Sequence, residues 1–164
     1  MTQADRIFAG AAQIEESLTL FGERCADPVA AIYRLMFQRH PYMAPYFQRD
    51  TNNAIKGEML ARTIEAILDF IGPREYSHLM IGTEMVTHEG YDVPREVFVT
   101  FFAIIRDALR ETLAGAWSDA FEAAWAKLLD EIHHFADATP RVDIDTAHER
   151  TIRERLTAQG AKLG

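Results

Sequence analysis

Thiol is nearly missing from this sequence: Cys25 is the single cysteine among 164 residues. An internal disulfide and a multi-thiolate metal site are thereby excluded, and a reducing, cytoplasmic location is expected. Positive charge is also scarce. Seventeen Lys and Arg stand against 25 Asp and Glu, for a formal net charge of −8 with no dense basic cluster. That balance argues against a nucleic-acid partner and against an anionic membrane surface. No apolar run approaches the roughly 20 residues of a membrane-spanning helix. Asp5, Arg6, Glu15 and Glu16 interrupt the N-terminal stretch, so no signal peptide is expected. Repeats, low-complexity tracts and alternating strand patterns are absent as well. What remains is an ordinary globular composition, 48% hydrophobic and 26% charged, long enough for one domain with a real core.

What is present is helical periodicity. Residues 4–24 set Ile7, Ala11, Ile14, Leu18 and Phe21 on one apolar face. Asp27 and Pro28 open a second helix as N-cap and first-turn proline. It runs to about Arg39 with Val29, Ile32, Tyr33, Met36 and Phe37 inward, and His40-Pro41 ends it. A turn-rich piece, PYMAPYF, leads to Phe47, and residues 48–53 read as a polar loop. The next helix spans about Asn53 to Ile71, with Met59, Leu60, Thr63, Ile64, Ile67, Leu68 and Ile71 as its stripe; Gly72-Pro73 stops it. Residues 74–89 form a further helix, stopped by Gly90. Pro94 to Ala114, stopped by Gly115, and Asp119 to about Ala136, capped by Ser118, complete an all-α body over residues 1–139. Residues 140–164 read as a charged tail of helical or disordered character. Its apolar seam, Ile152 and Leu156, is too narrow to fold alone.

The chemistry-bearing stretch is MVTHEGYDVPREVF, residues 85–98, which presents His88 at a helix end just before a corner. Neutral imidazole is the commonest metal ligand among side chains, although a histidine there, taken alone, reads better as a satisfied surface residue. Elsewhere the signals are poor. His133 and His134 are adjacent and point apart on a helix, and Glu131 with His134 lacks the second pair of a di-metal bundle. Ser17 and Ser118 sit in no nucleophile motif.

Several segments resemble, in order, those of bacterial single-domain globins. AIYRLMFQRHPYMAPYF resembles their second helix and its corner, through Phe37, His40, Pro41 and Phe47. KGEMLARTIEAI resembles the distal helix, THEGYDVPREVF the proximal corner and AWSDAFEAAWAKLLDEI the closing helix. The resemblance covers residues 5–137 and implies a three-on-three helical sandwich around haem b. It makes His88 the proximal iron ligand and Phe47 the aromatic that wedges the porphyrin. Tyr33 falls where many such globins carry a distal tyrosine whose hydroxyl donates to bound oxygen. As a residue it serves equally well as a core tyrosine. Lys56 and Leu60 fall at the two distal positions facing the gas, and Val93 and Phe98 line the proximal side. The implied function is reversible binding of a diatomic gas, oxygen or nitric oxide, for storage, sensing or detoxification. Detoxification needs an external reductase, and a monomer or homodimer is expected.

Some residues depart from the family pattern. Lys56 replaces the usual histidine or glutamine and is expected to be a solvated lysine at a pocket mouth. Glu84 stands where an apolar residue generally faces the porphyrin. Phe98 replaces the tyrosine of flavohaemoglobins, and FADATPRV supplies no late glutamate, so their electron-donating proximal triad is not expected. The alternative reading, from another class, is a haem-free helical module for interaction or stress signalling.

Overall fold

Carboxylates and hydroxyls at helix starts define the architecture of the computed structural model, which describes residues 8–141. The first helix, α1 (Ala11–Arg24), begins after Gly10 rather than at residue 4. Gly10 has φ 107°, and a Cβ there would meet the Ala124 Cβ at 2.8 Å, so the close approach requires glycine. Ile7 lies outside the described residues, and Phe8 is the buried residue at this end. Helix α2 (Pro28–Arg39) starts as the sequence implies, with the Asp27 carboxylate accepting the Ala30 N–H at 3.0 Å. A 3-10 turn, Pro41–Phe47, follows.

Two further helices are capped from a distance. Asn53, in the left-handed region at φ 60°, gives α3 (Ala54–Ile71) no side-chain cap. Asp50 caps it instead, accepting the Ile55 and Lys56 N–H groups at 3.0 and 2.9 Å. Helix α4 (Ser77–Glu89) starts three residues later than the periodicity suggests, after Arg74 turns the chain at φ 54°. Asp69, buried near the end of α3, takes the N–H groups of Glu75, Tyr76 and Ser77 at 3.1, 3.1 and 2.8 Å. Burial opposes ionisation of Asp69, but the donors from Ser77, Tyr76 and Glu75 outweigh it and hold the carboxyl below its ordinary range. Leu68, counted on the apolar stripe by spacing, is 40% exposed, because the α4 start needs Asp69 turned inward.

Helix α5 (Arg95–Leu113) is the hub and packs on α1, α2, α4 and α6 (Asp119–Ala138), while α3 packs on α2 and α4. Its end is set by Ala114 at φ 45° rather than by Gly115. Ser118 Oγ accepts the Phe121 N–H at 3.1 Å and so caps α6 as expected. Trp125, Phe70, Ile104, Ile105 and Leu128 are fully buried, each contributing about 1.5–3 kcal/mol relative to exposure. The one polar atom of that set is satisfied, since Trp125 Nε1 donates to Ser17 Oγ at 2.9 Å. Among the described residues there is no strand, and no helix is long and apolar enough to cross a membrane. The expectations for residues 142–164, Ile152 and Leu156 included, lie outside the described residues.

Candidate functional site

His88 sits in the last turn of α4, and the corner folds back onto it. Its carbonyl accepts the N–H groups of Tyr91 at 2.9 Å and Val93 at 3.0 Å. Gly90, read as the helix stop, keeps right-handed geometry at φ −66°, and Asp92 takes the left-handed position at φ 61°. The ring is oriented locally. Nδ1 donates to the Glu84 carbonyl at 2.7 Å, which leaves the lone pair on Nε2 available to a metal. The Phe98 ring packs on the imidazole with centroids 5.0 Å apart, and Val93 is buried beside the corner. It is the Glu84 backbone that serves the ring; its carboxylate stays at the ring edge, 3.8 Å from Nδ1 and 40% exposed.

A second cluster forms around Tyr33. Its ring lies 5.8 Å from Phe37, 5.4 Å from Phe47 and 5.5 Å from Phe101, measured between centroids. The hydroxyl is buried and has no hydrogen-bond partner, which costs about 1–3 kcal/mol. Burial, with a smaller contribution from the Asp50 charge, pushes the phenol well above its ordinary range. Tyr33 therefore stays a neutral O–H donor.

Lys56 differs from the solvated lysine expected of it. The ammonium lies 3.1 Å from the Asp50 carboxylate, with 12% of the side chain exposed, and 5.5 Å from the Phe47 ring centroid. Asp50 is held ionised: burial opposes its charge, but the Lys56 and Ile55 backbone donors and the lysine itself lower its pKa. Leu60, one turn further along α3, is buried.

Helix α5 joins the two clusters. Phe98 touches His88, and Phe101, three residues on, touches Tyr33, so both clusters lie along one face of α5. The structure thus brings Tyr33, Phe47 and Lys56 together on one side and His88, Val93 and Phe98 on the other. Aromatic walls, one free imidazole nitrogen and one unpartnered buried hydroxyl fit a flat apolar macrocycle carrying iron. Among the described residues no three His, Cys, Asp or Glu converge on a metal, so a metal held by His88 would take its remaining ligands from such a cofactor.

Sequence reasoning missed Asp50, Asp69, Glu89 and Arg95. The available signal was a charged residue on an inner face: Arg95, Phe98 and Phe102 follow helical spacing, and Arg95 is 4% exposed. A sequence model described as Globin matches residues 30–136. No curated protein and no solved structure gives a match. The matched span runs from α2 into the last turn of α6 and contains both clusters. With its all-α architecture of the globin type, the chain belongs to the globin family.

Proposed function

We propose that this protein binds haem b through His88 and takes up a diatomic gas, oxygen or nitric oxide, on the Tyr33 side. Globins typically bind haem and gas, and the observation that carries the reading here is the His88 ring. Its Nδ1 is committed to the Glu84 carbonyl at 2.7 Å, so Nε2 is the ligating atom. Haem iron, when bound, supplies an open coordination position for the gas. Phe47, Leu60, Val93 and Phe98 supply apolar surface that excludes water. Tyr33 offers one desolvated O–H to a polar gas ligand, and Lys56, paired with Asp50 at 3.1 Å, does not compete for the iron. Storage, sensing and detoxification are the roles open to such a site, the last with an external reductase. The protein acts as a monomer or homodimer in the cytoplasm.

Titrating the haem-free chain with hemin should give an intense Soret band that saturates at one equivalent, and His88→Ala should lose most of it. A folded, helical chain that stays colourless would end this reading. It would promote the haem-free interaction or stress-signalling module, for which the Glu84 carboxylate beside His88 speaks.

A further inference from the structure

Arg95 is buried at 4% exposure, and the gas-binding reading makes no use of it. Its Nε and Nη2 hold the two Glu89 carboxylate oxygens at 2.8 and 3.1 Å. Nη1 donates to the carbonyls of Ala136 at 3.0 Å and Thr139 at 2.6 Å, and Nη2 reaches that of Pro140 at 3.5 Å. Only a planar guanidinium can serve a carboxylate bidentately and several carbonyls at once; a lysine cannot. Those carbonyls lie at the C-terminal end of α6, where C=O groups lack helical partners and the dipole favours a cation. Arg141 closes the arrangement from outside, 3.0 Å from Glu96 and 3.7 Å from Glu89.

Glu89 is the residue next to His88 and the last of α4. The bond from Nδ1 to the Glu84 carbonyl exists only while that last turn stays helical. Its C-terminal stop is weak by itself, because the left-handed position falls to Asp92 rather than to a glycine. The turn is instead tied through Glu89 and Arg95 to a segment 41 to 45 residues further along the chain.

We propose that Arg95 is a positioning residue for His88: by locking Glu89 to the end of α6 it holds the imidazole in its metal-ready orientation, and it makes that orientation depend on the docking of residues 136–140. What the ring binds rests on the haem reading above; how the ring is held does not.

The test uses the full chain, ¹⁵N-labelled and free of haem, as Glu89→Gln, Arg95→Lys and Arg74→Lys. His88 ring-nitrogen shifts of these chains report the tautomer; after loading with hemin, transfer to an acceptor globin reports hemin loss. The parent chain should show one tautomer, protonated at Nδ1. Glu89→Gln and Arg95→Lys should show a mixture of tautomers and lose hemin roughly tenfold faster, the low end for loss of groups that orient a metal ligand. Arg74→Lys breaks a comparable clamp, to the Phe70 carbonyl and Glu131 at 2.6 Å each, and should leave His88 unchanged. Parent-like tautomer and hemin loss in a folded Glu89→Gln chain would overturn the proposal, whether or not Arg95→Lys folds. An equal change in Arg74→Lys would overturn it too, by showing general loosening. If the parent chain takes up no hemin, the haem reading fails and the tautomer comparison alone decides this one.

Discussion

The groups that orient His88 are paired and leave only its Nε2 free, whereas on the Tyr33 side a buried hydroxyl is left open. Nδ1 of His88 has the Glu84 carbonyl, Glu89 has Arg95, and Arg95 has the end of α6. Across α5, the charges of Asp50 and Lys56 neutralise each other, but the buried Tyr33 hydroxyl has no partner. A wall that must hold a ligand atom in one orientation gains from saturated hydrogen bonding. A wall that must receive something gains from a donor kept unsatisfied, at a cost to stability. That difference is the one the proposed roles of His88 and Tyr33 call for.

The comparison can be broken most forcefully on the saturated side. Arg95→Met strands the Glu89 carboxylate and takes the guanidinium from three carbonyls, and should lower unfolding free energy by roughly 3–5 kcal/mol in urea titration. Adding Glu89→Met should recover part of that loss; no recovery would mean the carbonyl bonds dominate. On the open side the sign should reverse. Tyr33→Phe removes an unsatisfied hydroxyl and should stabilise the haem-free chain by about 1–2 kcal/mol. The same substitution in haem-loaded protein should speed oxygen release about ten- to a hundredfold while barely affecting carbon monoxide. Destabilisation by Tyr33→Phe would mean the hydroxyl is already paired in solution.

A smaller effect is expected at the entrance to α4. Asp69→Asn should cost about 1 kcal/mol at neutral pH, since the charge strengthens three backbone bonds. The folded carboxyl titrates below its ordinary value of 3.8, so this stability is fully present above that value. It is lost as pH falls through the folded pKa, and parent and variant should converge in acid. Divergence on acidification would reverse the sign assigned to Asp69. Smallest of all, Lys56→Ala should leave the ferric spectrum high-spin and nearly unchanged, because the amine belongs to Asp50. A low-spin spectrum that becomes high-spin on substitution would put Lys56 on the iron.

Much of the helical body was legible because a helix repeats its buried face every three to four residues, and Asp27 and Ser118 sit where capping chemistry needs them. The errors cluster at helix ends. Gly90 and Gly115 are the expected stops by residue type, yet Asp92 and Ala114 take the left-handed backbone. Leu68 fits the apolar spacing, but Asp69 is drawn inward beside it by three N–H groups from the next helix. In the candidate site, His88, Phe47 and Tyr33 were singled out through the family resemblance. Their partners were not, because Asp50, Glu89 and Arg95 act on backbone groups and charges that spacing does not place.

The sequence by itself determined an all-helical chain, its main caps, and the placing of one histidine at a helix end before a corner. These are local consequences of side-chain period, capping chemistry and proline geometry, and they need no distant partner. Only the tertiary structure decided which nitrogen of His88 is free, that Lys56 is paired rather than solvated, and that Tyr33 keeps an unmade hydrogen bond. It alone decided that Arg95 ties the His88 corner to the end of α6. Each of these depends on which groups meet once several helices have packed, and a hydrogen bond or ion pair forms only between atoms the fold has brought within about 3 Å.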